Sequence, residues 1–336
     1  QIGMGTAIMR NVSPSGSETI PVHSPRWTKP AVLGAGESLD VIAASALADV
    51  SEARLAVKDT VRSLGAPVSV RPLAPAHCVG LSFILPPDVP AGLYDLHLLN
   101  GGRSLAVEPC CVWVPAPGGL EFTFVHMSDF HMVRMNKLKC EVRADSRKLV
   151  IRGERLKWLM RHLVEEIRPD FILNTGDLIT RYYKPGKRLF PLEHMRRQLR
   201  AAHRALSGIR IPQFITPGNH DVSFPALKAM WRRFMGGRWD GGTDDYTFEY
   251  RGVRFIALER SVEYNAAHEG VSFEMRPQQK AWLAAELDRP TKARTSVIFL
   301  HCDYRNELAP LIEGKNVSKV FYGHWNKRCL PENRRD

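Results

Sequence analysis

Five short clusters along the 336-residue chain gather the residue types that hold metal ions. In order they are Asp129-Phe130-His131, Gly176-Asp177, Gly218-Asn219-His220-Asp221, His301, and His324 with Asn326 two residues on. Carboxylate, imidazole and carboxamide are hard to borderline donors, and a set of this size suits two divalent first-row cations better than one. A carboxylate shared by two such cations holds them about 3.5–4 Å apart, the spacing of two-metal hydrolytic centres. Each cluster alone is weak. An Asp-x-His pair recurs by coincidence, Gly-Asp is an everyday turn, and a histidine at a strand end is more often a hydrogen-bonded structural residue than a ligand. GNHD at 218–221 carries more weight, because small and polar residues so soon after the apolar run FIT are costly to bury without a purpose.

These clusters need elements that bring them to one place. EFTFVHM (121–127) reads as an apolar strand, KLVIRGERLKWLMRHLVEEI (148–167) as a helix, and RPDFILNTGD (168–177) as a strand running into a loop. LEHMRRQLRAAHRAL (192–206) is helical and the strand IPQFITPGNHD follows it. Residues 246–260 read as a hairpin turning at Arg251-Gly252, and 276–289 as a helix with Pro277 in its first turn. SVIFLHCDY and SKVFYGHWN close the series as strands ending in loops. Strands alternating with amphipathic helices predict an α/β layered core. Every cluster falls just past the C-terminal end of a strand, where such sheets place their sites.

Upstream the pattern differs. Short β-rich runs at 68–73, 80–85, 92–99 and 107–114 alternate with Pro and Gly turns, which predicts a small all-β sandwich of immunoglobulin-like type. ASALADVSEARLAV (44–57) reads either as a helix or as a strand with a loop, and PAPGG (115–119) as a stiff linker. The expected domains are therefore 1–117 and 118–336. Apolar residues at 44% and charged residues at 24% exclude a disordered or fibrous chain. No apolar run approaches the roughly 18 residues of a membrane span. The opening QIGMGTAIMR is no leader, so any signal peptide is expected to be already removed or never present, leaving cytoplasmic and secreted or periplasmic locations both open. Six cysteines contain no CxxC pair, and Cys302, next to His301, is expected close to the chemistry without taking part. Residues 1–118 carry 8 Lys and Arg against 9 Asp and Glu, whereas 119–336 carry 39 against 26. A basic second part suits an anionic partner, either a small phosphate ester or nucleic acid; a solvated Arg-rich surface explains the charge equally well.

HMSDFHM, NTGDLI, TPGNHD, FLHCDY and FYGHWN together resemble, in order, the five blocks of the calcineurin-like metallophosphoesterases, over about residues 120–326. The resemblance implies a four-layer αββα sandwich with two divalent metal ions on its rim, Mn²⁺ foremost, with Fe, Zn or Mg as the other choices. By motif position, Asp129 and His131 would bind the first metal, Asp177 both, and Asn219, His301 and His324 the second. His220 would face the scissile ester. The implied reaction is hydrolysis of a phosphomonoester or phosphodiester, a metal-bridging hydroxide attacking phosphorus in line while His220 protonates the leaving oxygen. Asp221 is read as a capping or ligand-supporting residue ahead of one that orients His220.

Two departures from the family pattern matter. The last block usually reads Gly-His-x-His, and here Asn326 takes the second histidine's place. Either its amide oxygen ligates, favouring Mn²⁺ or Mg²⁺ over Zn²⁺, or it holds a water, or the first site is too weak to fill. The first two are favoured, since every other metal position is intact. Thr180 stands where purple acid phosphatases carry a tyrosine ligand and serine/threonine phosphatases an aspartate, which argues against both branches. RYYKPGKR (181–188) offers Arg181, Tyr182 and Lys184 as substrate-binding candidates, at even odds with a solvated basic loop. His126, His194 and His203 are read as structural, and Trp231, Trp239 and Trp282 as packing residues. Because this fold usually continues past the last block, either the chain is cut short or the first domain covers the second sheet. A competing class is a metal- or nucleic-acid-binding protein without turnover, with a metal-dependent nuclease between the two.

Overall fold

The computed structural model describes residues 21–73, 77–132, 146–180, 191–236, 244–259, 264–265, 270–271 and 275–324. Its first part is all β: β1 (Val22–Ser24), β2 (Ala31–Val32), β3 (Ser38–Ala44), β4 (Glu52–Val57), β5 (Thr60–Gly65), β6 (Ser69–Leu73), β7 (Cys78–Ile84), β8 (Gly92–Asn100) and β9 (Arg103–Val114). They form a four-stranded sheet, β1-β3-β7-β6, and a five-stranded sheet, β2-β9-β8-β4-β5. Alternate residues of both sheets, among them Leu39, Val41, Leu81, Phe83, Leu55, Tyr94, Leu96 and Leu98, share one buried cluster. The ambiguous 44–57 run resolves into a single 3₁₀ turn (Ser45–Leu47) and a strand. In that strand Ala53 and Leu55 point inward at period two, which a helix could not do while pairing with β5 and β8 on both sides.

The second part alternates. β10 (Phe124–Met127), α1 (Ser146–His162) with a π-helical turn (Leu163–Ile167), β11 (Phe171–Asn174), α2 (Leu192–Leu206), β12 (Gln213–Ile215) and α3 (Pro225–Met235) come first. β13 (Tyr246–Tyr250), β14 (Val253–Leu258), β15 (Tyr264–Asn265), β16 (Gly270–Val271), α4 (Pro277–Asp288), β17 (Thr295–Leu300), α5 (Arg305–Ile312) and β18 (Val317–Tyr322) follow. β10, β11 and β12 make a parallel sheet, and β13-β14-β17-β18 a second one, parallel except for the β13–β14 hairpin. That hairpin turns at Arg251 and Gly252, whose φ values of 46° and 77° are those of a type I′ turn. β14 and β17 are buried on both faces. Phe255, Ala257, Val297 and Phe299 join the cluster shared with the first sheet, while Ile256, Leu258, Ile298 and Leu300 join Leu283 of α4 and Leu308 of α5. Phe171 of the first sheet meets Phe255 of the second edge-on at 5.2 Å.

The two parts are not separate packages. Trp113 of β9 lies 4.6 Å from the Tyr250 ring and 6.0 Å from Phe171, inside the core of the second part. Residues 26–29 form a strap across the same boundary. The Thr28 carbonyl accepts a hydrogen bond from Ile215 N–H of β12 at 2.9 Å, and its hydroxyl donates to the Met235 carbonyl. Lys29 pairs with Asp244 at 3.3 Å. Arg26 pairs with Glu108 at 2.9 Å, whose carboxyl burial raises to a pKa of about 7 despite the guanidinium.

Trp27 meets His203 of α2 edge-on at 5.4 Å. Burial, with Arg26 and Arg204 nearby, holds the pKa of His203 at about 4 against 6.5. The unfolded chain therefore takes up that proton first, so the contribution is complete above about pH 6.5 and is lost as pH falls towards 4. Replacing His203 by glutamine should make unfolding free energy less acid-sensitive by roughly 3 kcal/mol between pH 7 and 4. Denaturant titrations of both proteins at those two pH values read the difference, and parallel profiles would refute it.

Candidate metal centre

The site is built where five strands end, β10, β11 and β12 of the first sheet and β17 and β18 of the second. Beyond β10 and β11 the chains stay paired: Asp129 N–H donates to the Gly176 carbonyl, His131 N–H to Asp177 and Met132 N–H to Leu178, each at 2.9 Å. The backbone must turn hard there. Asp129, His131, Asp177 and His324 have φ values of 58°, 42°, 55° and 72°, four of the eight non-glycine residues with positive φ among the described residues. Such strain persists only where the surroundings over-determine it, and it concentrates at functional sites. Two glycines let the loops close. A Cβ on Gly218 would fall 2.1 Å from the Asp177 carboxylate, and one on Gly323 1.9 Å from the Ser128 hydroxyl.

Six of the seven expected ligands come together: Asp129, His131, Asp177, Asn219, His301 and His324. His301 Nδ1–H donates to the Thr175 carbonyl at 2.7 Å, so in the neutral ring Nε2 carries a lone pair. That lone pair faces Asn219 Oδ1 at 3.1 Å and Asp177 Oδ2 at 3.2 Å. His324 Nδ1 lies 2.9 Å from the same Asn219 oxygen and 3.3 Å from His301 Nε2. His131 repeats the device: Nδ1–H donates to the Ile179 carbonyl at 3.1 Å, and Nε2 faces Asp177 Oδ2 at 3.6 Å and Asp129 Oδ1 at 3.7 Å. Asp129 Oδ1 is buried with no hydrogen-bond partner. Lone pairs converging on one another, with an orphaned carboxylate oxygen among them, fit bound cations, and the donor types fit divalent ones. Asp177, Asp129 and His301 form one ligand group and His131, Asp177 and His220 another, with Asp177 common to both.

The electrostatics have the same sense. Burial alone would raise Asp177, but His301, His220 and His131 draw its pKa well below the usual carboxylate range. Burial opposes charge on His301, yet the Asp177 and Asp129 carboxylates together with the Thr175 carbonyl outweigh it and raise the imidazole pKa. His220, the expected proton donor, is half-buried, hydrogen-bonds Asp177 Oδ1 through its backbone N–H at 2.8 Å, and sets its ring 4.9 Å from that of His131.

Of the supporting residues, Asp221 is legible in the sequence as a capping or ligand-supporting residue, whereas Gln198 carries no signal of its own. Asp221, fully buried, accepts from the N–H groups of Asp177 (2.7 Å), Gly218 (2.9 Å) and Ile179 (3.2 Å), tying the loop after β11 to GNHD. Burial and the Asp177 charge push its own pKa up. Gln198 of α2 clamps Thr180 from both sides, its amide oxygen on Thr180 N–H and its amide nitrogen on the Thr180 carbonyl, each at 2.9 Å. Ser128 donates to the Asp129 carboxylate. Only the helical face of α2 could have pointed to Gln198. Asn326, Arg181, Tyr182 and Lys184 lie outside the described residues, as does Trp239. Trp231 is buried in the core, and Trp282 packs against the cluster under α4. Among the described residues no helix is long and apolar enough to cross a membrane.

A family model, calcineurin-like phosphoesterase, matches residues 122–328. No curated protein matches the chain. Solved structures similar to parts of it include the Bacteroides ovatus mixed-linkage glucan utilization locus protein SGBP-B in complex with a mixed-linkage heptasaccharide, 15% identical with a TM-score of 0.20, covering 30% of this chain and 24% of that one. Amylomaltase from Corynebacterium glutamicum is 19% identical with a TM-score of 0.21, covering 51% of this chain and 23% of that one. The chain spans about a quarter of each of those proteins, and superpositions this loose bear on neither fold nor ligand.

Proposed function

Because the chain belongs to the calcineurin-like phosphoesterase family, we propose that it hydrolyses a phosphomonoester or phosphodiester with two divalent cations. Asp129 and His131 would hold one cation, Asn219, His301 and His324 the other, and Asp177 would serve both. The observation that carries this reading is the meeting of Asn219 Oδ1, His301 Nε2 and His324 Nδ1 at 2.9–3.3 Å. The proposal extends to a four-layer αββα arrangement, supported by the aromatic packing between the two sheets and the apolar cluster under α4 and α5. It also places an immunoglobulin-like unit before residue 118, supported by its two sheets around one cluster.

When bound, the cations supply a nucleophile at neutral pH and neutralise charge on the phosphoryl oxygens. The chain's own part is orientation and proton transfer. The Thr175 and Ile179 carbonyls fix the tautomers of His301 and His131, so that both keep a lone pair directed inward. Asp221 and Gln198 hold the loop that aims Asp177. His220 gives a proton to the leaving oxygen as the ester bond breaks. Arg181 and Lys184 would offer cations to the phosphate oxygens, and an amide at Asn326, ligating or holding a water, would incline the first cation site towards Mn²⁺.

The test is hydrolysis of an aryl phosphate monoester and its diester counterpart by metal-stripped protein as Mn²⁺ is returned. Turnover should rise with Mn²⁺, and His220→Ala should lower kcat/KM by about 10²–10⁴-fold while Mn²⁺ stoichiometry stays the same. The ester preferred sets the substrate class. No turnover of either ester at saturating Mn²⁺ in a folded sample would sink the reading.

A further inference from the structure

Cys302 directly follows His301, and its sulfur lies with ring nitrogens of His301 and His324 in one group whose atoms are all within 4.8 Å of one another. Strand register accounts for the meeting. Leu300 pairs with Tyr322 at the ends of β17 and β18, and Gly323 N–H donates to the His301 carbonyl at 3.1 Å. One further step sets Cys302 opposite His324. The position is shielded from water, with Cys302 1% and His301 0% exposed. On its other side Cys302 adjoins Leu300, Tyr304 and Leu308, so the sulfur stands where an apolar layer meets the imidazoles.

That position changes what the centre can hold. Metal–nitrogen bonds of about 2.0–2.1 Å and metal–sulfur bonds of about 2.3 Å let three donors this close share one ion. A thiolate is a soft donor, matched to zinc-like cations, and does little for Mn²⁺. We propose that Cys302 is a sulfur donor at the His301–His324 pole of the centre, which therefore takes a thiophilic divalent cation in preference to Mn²⁺. The sequence alone left this cysteine beside the chemistry; the structure gives it a part in it. On binding, the thiol S–H bond breaks, its proton passes to solvent and the sulfur electron pair goes to the cation, with no change of oxidation state. The proposal rests on the reading of His301 and His324 as ligands.

Cadmium is the probe, because a thiolate bound to it gives an ultraviolet charge-transfer band that nitrogen and oxygen donors do not. Metal-stripped full chain titrated with Cd²⁺ should develop the band in step with binding measured by equilibrium dialysis. Cys302→Ser should remove the band and weaken Cd²⁺ binding by at least about tenfold, the low end of what losing even an outer partner does to a metal site. Its Mn²⁺ binding should not change. If the variant does not fold, cadmium NMR of the wild type reports sulfur ligation directly. Cd²⁺ bound without the band, or a band that survives Cys302→Ser, overturns the proposal and leaves the phosphoesterase reading standing. Failure to bind either Cd²⁺ or Mn²⁺ overturns both.

Discussion

Asp177→Asn should lose ester turnover by about 10⁴-fold or more, and without metal it should melt at a lower temperature than the wild type. The first half follows from position. One Asp177 carboxylate faces both His301 and His131, so the substitution removes a charge that the two proposed cation sites would share. Each tenfold in rate corresponds to 1.36 kcal/mol, and a bound cation contributes several kcal/mol of charge stabilisation. The second half follows from the imidazoles of His301, His220 and His131, which, against its burial, hold the Asp177 carboxyl well below its usual range, so that its charge stabilises the fold. Relief of the repulsion on the buried Asp221 carboxyl offsets part of that loss. The amide oxygen can still accept from His220 N–H. Turnover with saturating Mn²⁺ and a thermal melt of the metal-stripped variant test the two halves separately. Activity within tenfold of wild type would remove Asp177 from the centre of the mechanism. An unchanged or higher Tm would mean that relief at Asp221 outweighs the lost imidazole contacts.

The second large effect is expected far from the metal ligands. Trp113→Ala should lower stability by about 3–5 kcal/mol, the range for deleting a large buried aromatic. The indole fills space between Tyr250, Phe171 and Phe214, residues of both sheets in the second part. A protein of this size should show that as roughly 4–7 °C in Tm. Wild type should unfold in one transition, because side chains of the first part complete the core of the second. Two well-separated transitions in the wild type, or a Tm change under about 2 °C in the variant, would show that the two parts stand independently.

What the sequence disclosed and what it hid divide along a physical line. Metal donors must be particular residue types, so five clusters at strand ends were legible, and their strands and helices with them. The hairpin at Arg251-Gly252 was legible because a type I′ turn asks for positive φ. β1 and β2, three and two residues long, are too short to show alternation, and α5 carries Pro310 within it, which argues against a helix. α3 announces itself only by Pro225 at its first position. Thr28 was invisible for a deeper reason: it holds Ile215 through its backbone carbonyl, which every residue type possesses. The Gln198 clamp needs the fold to bring residues 180 and 198 together, and no local pattern encodes that.

The strap at Thr28 has a consequence for handling the protein. β12 is the outermost strand of its sheet, and Ile215 N–H is among the backbone groups that would otherwise face outward. A fragment starting near residue 118 loses the carbonyl that occupies it and gains an open template for pairing with another copy of itself. Such a fragment would also bare the aromatic surface that Trp113 covers. Precipitation of that fragment on expression would therefore be self-assembly through a strand edge, curable by a charge or a proline placed on β12, and would say nothing against the catalytic competence of the intact chain.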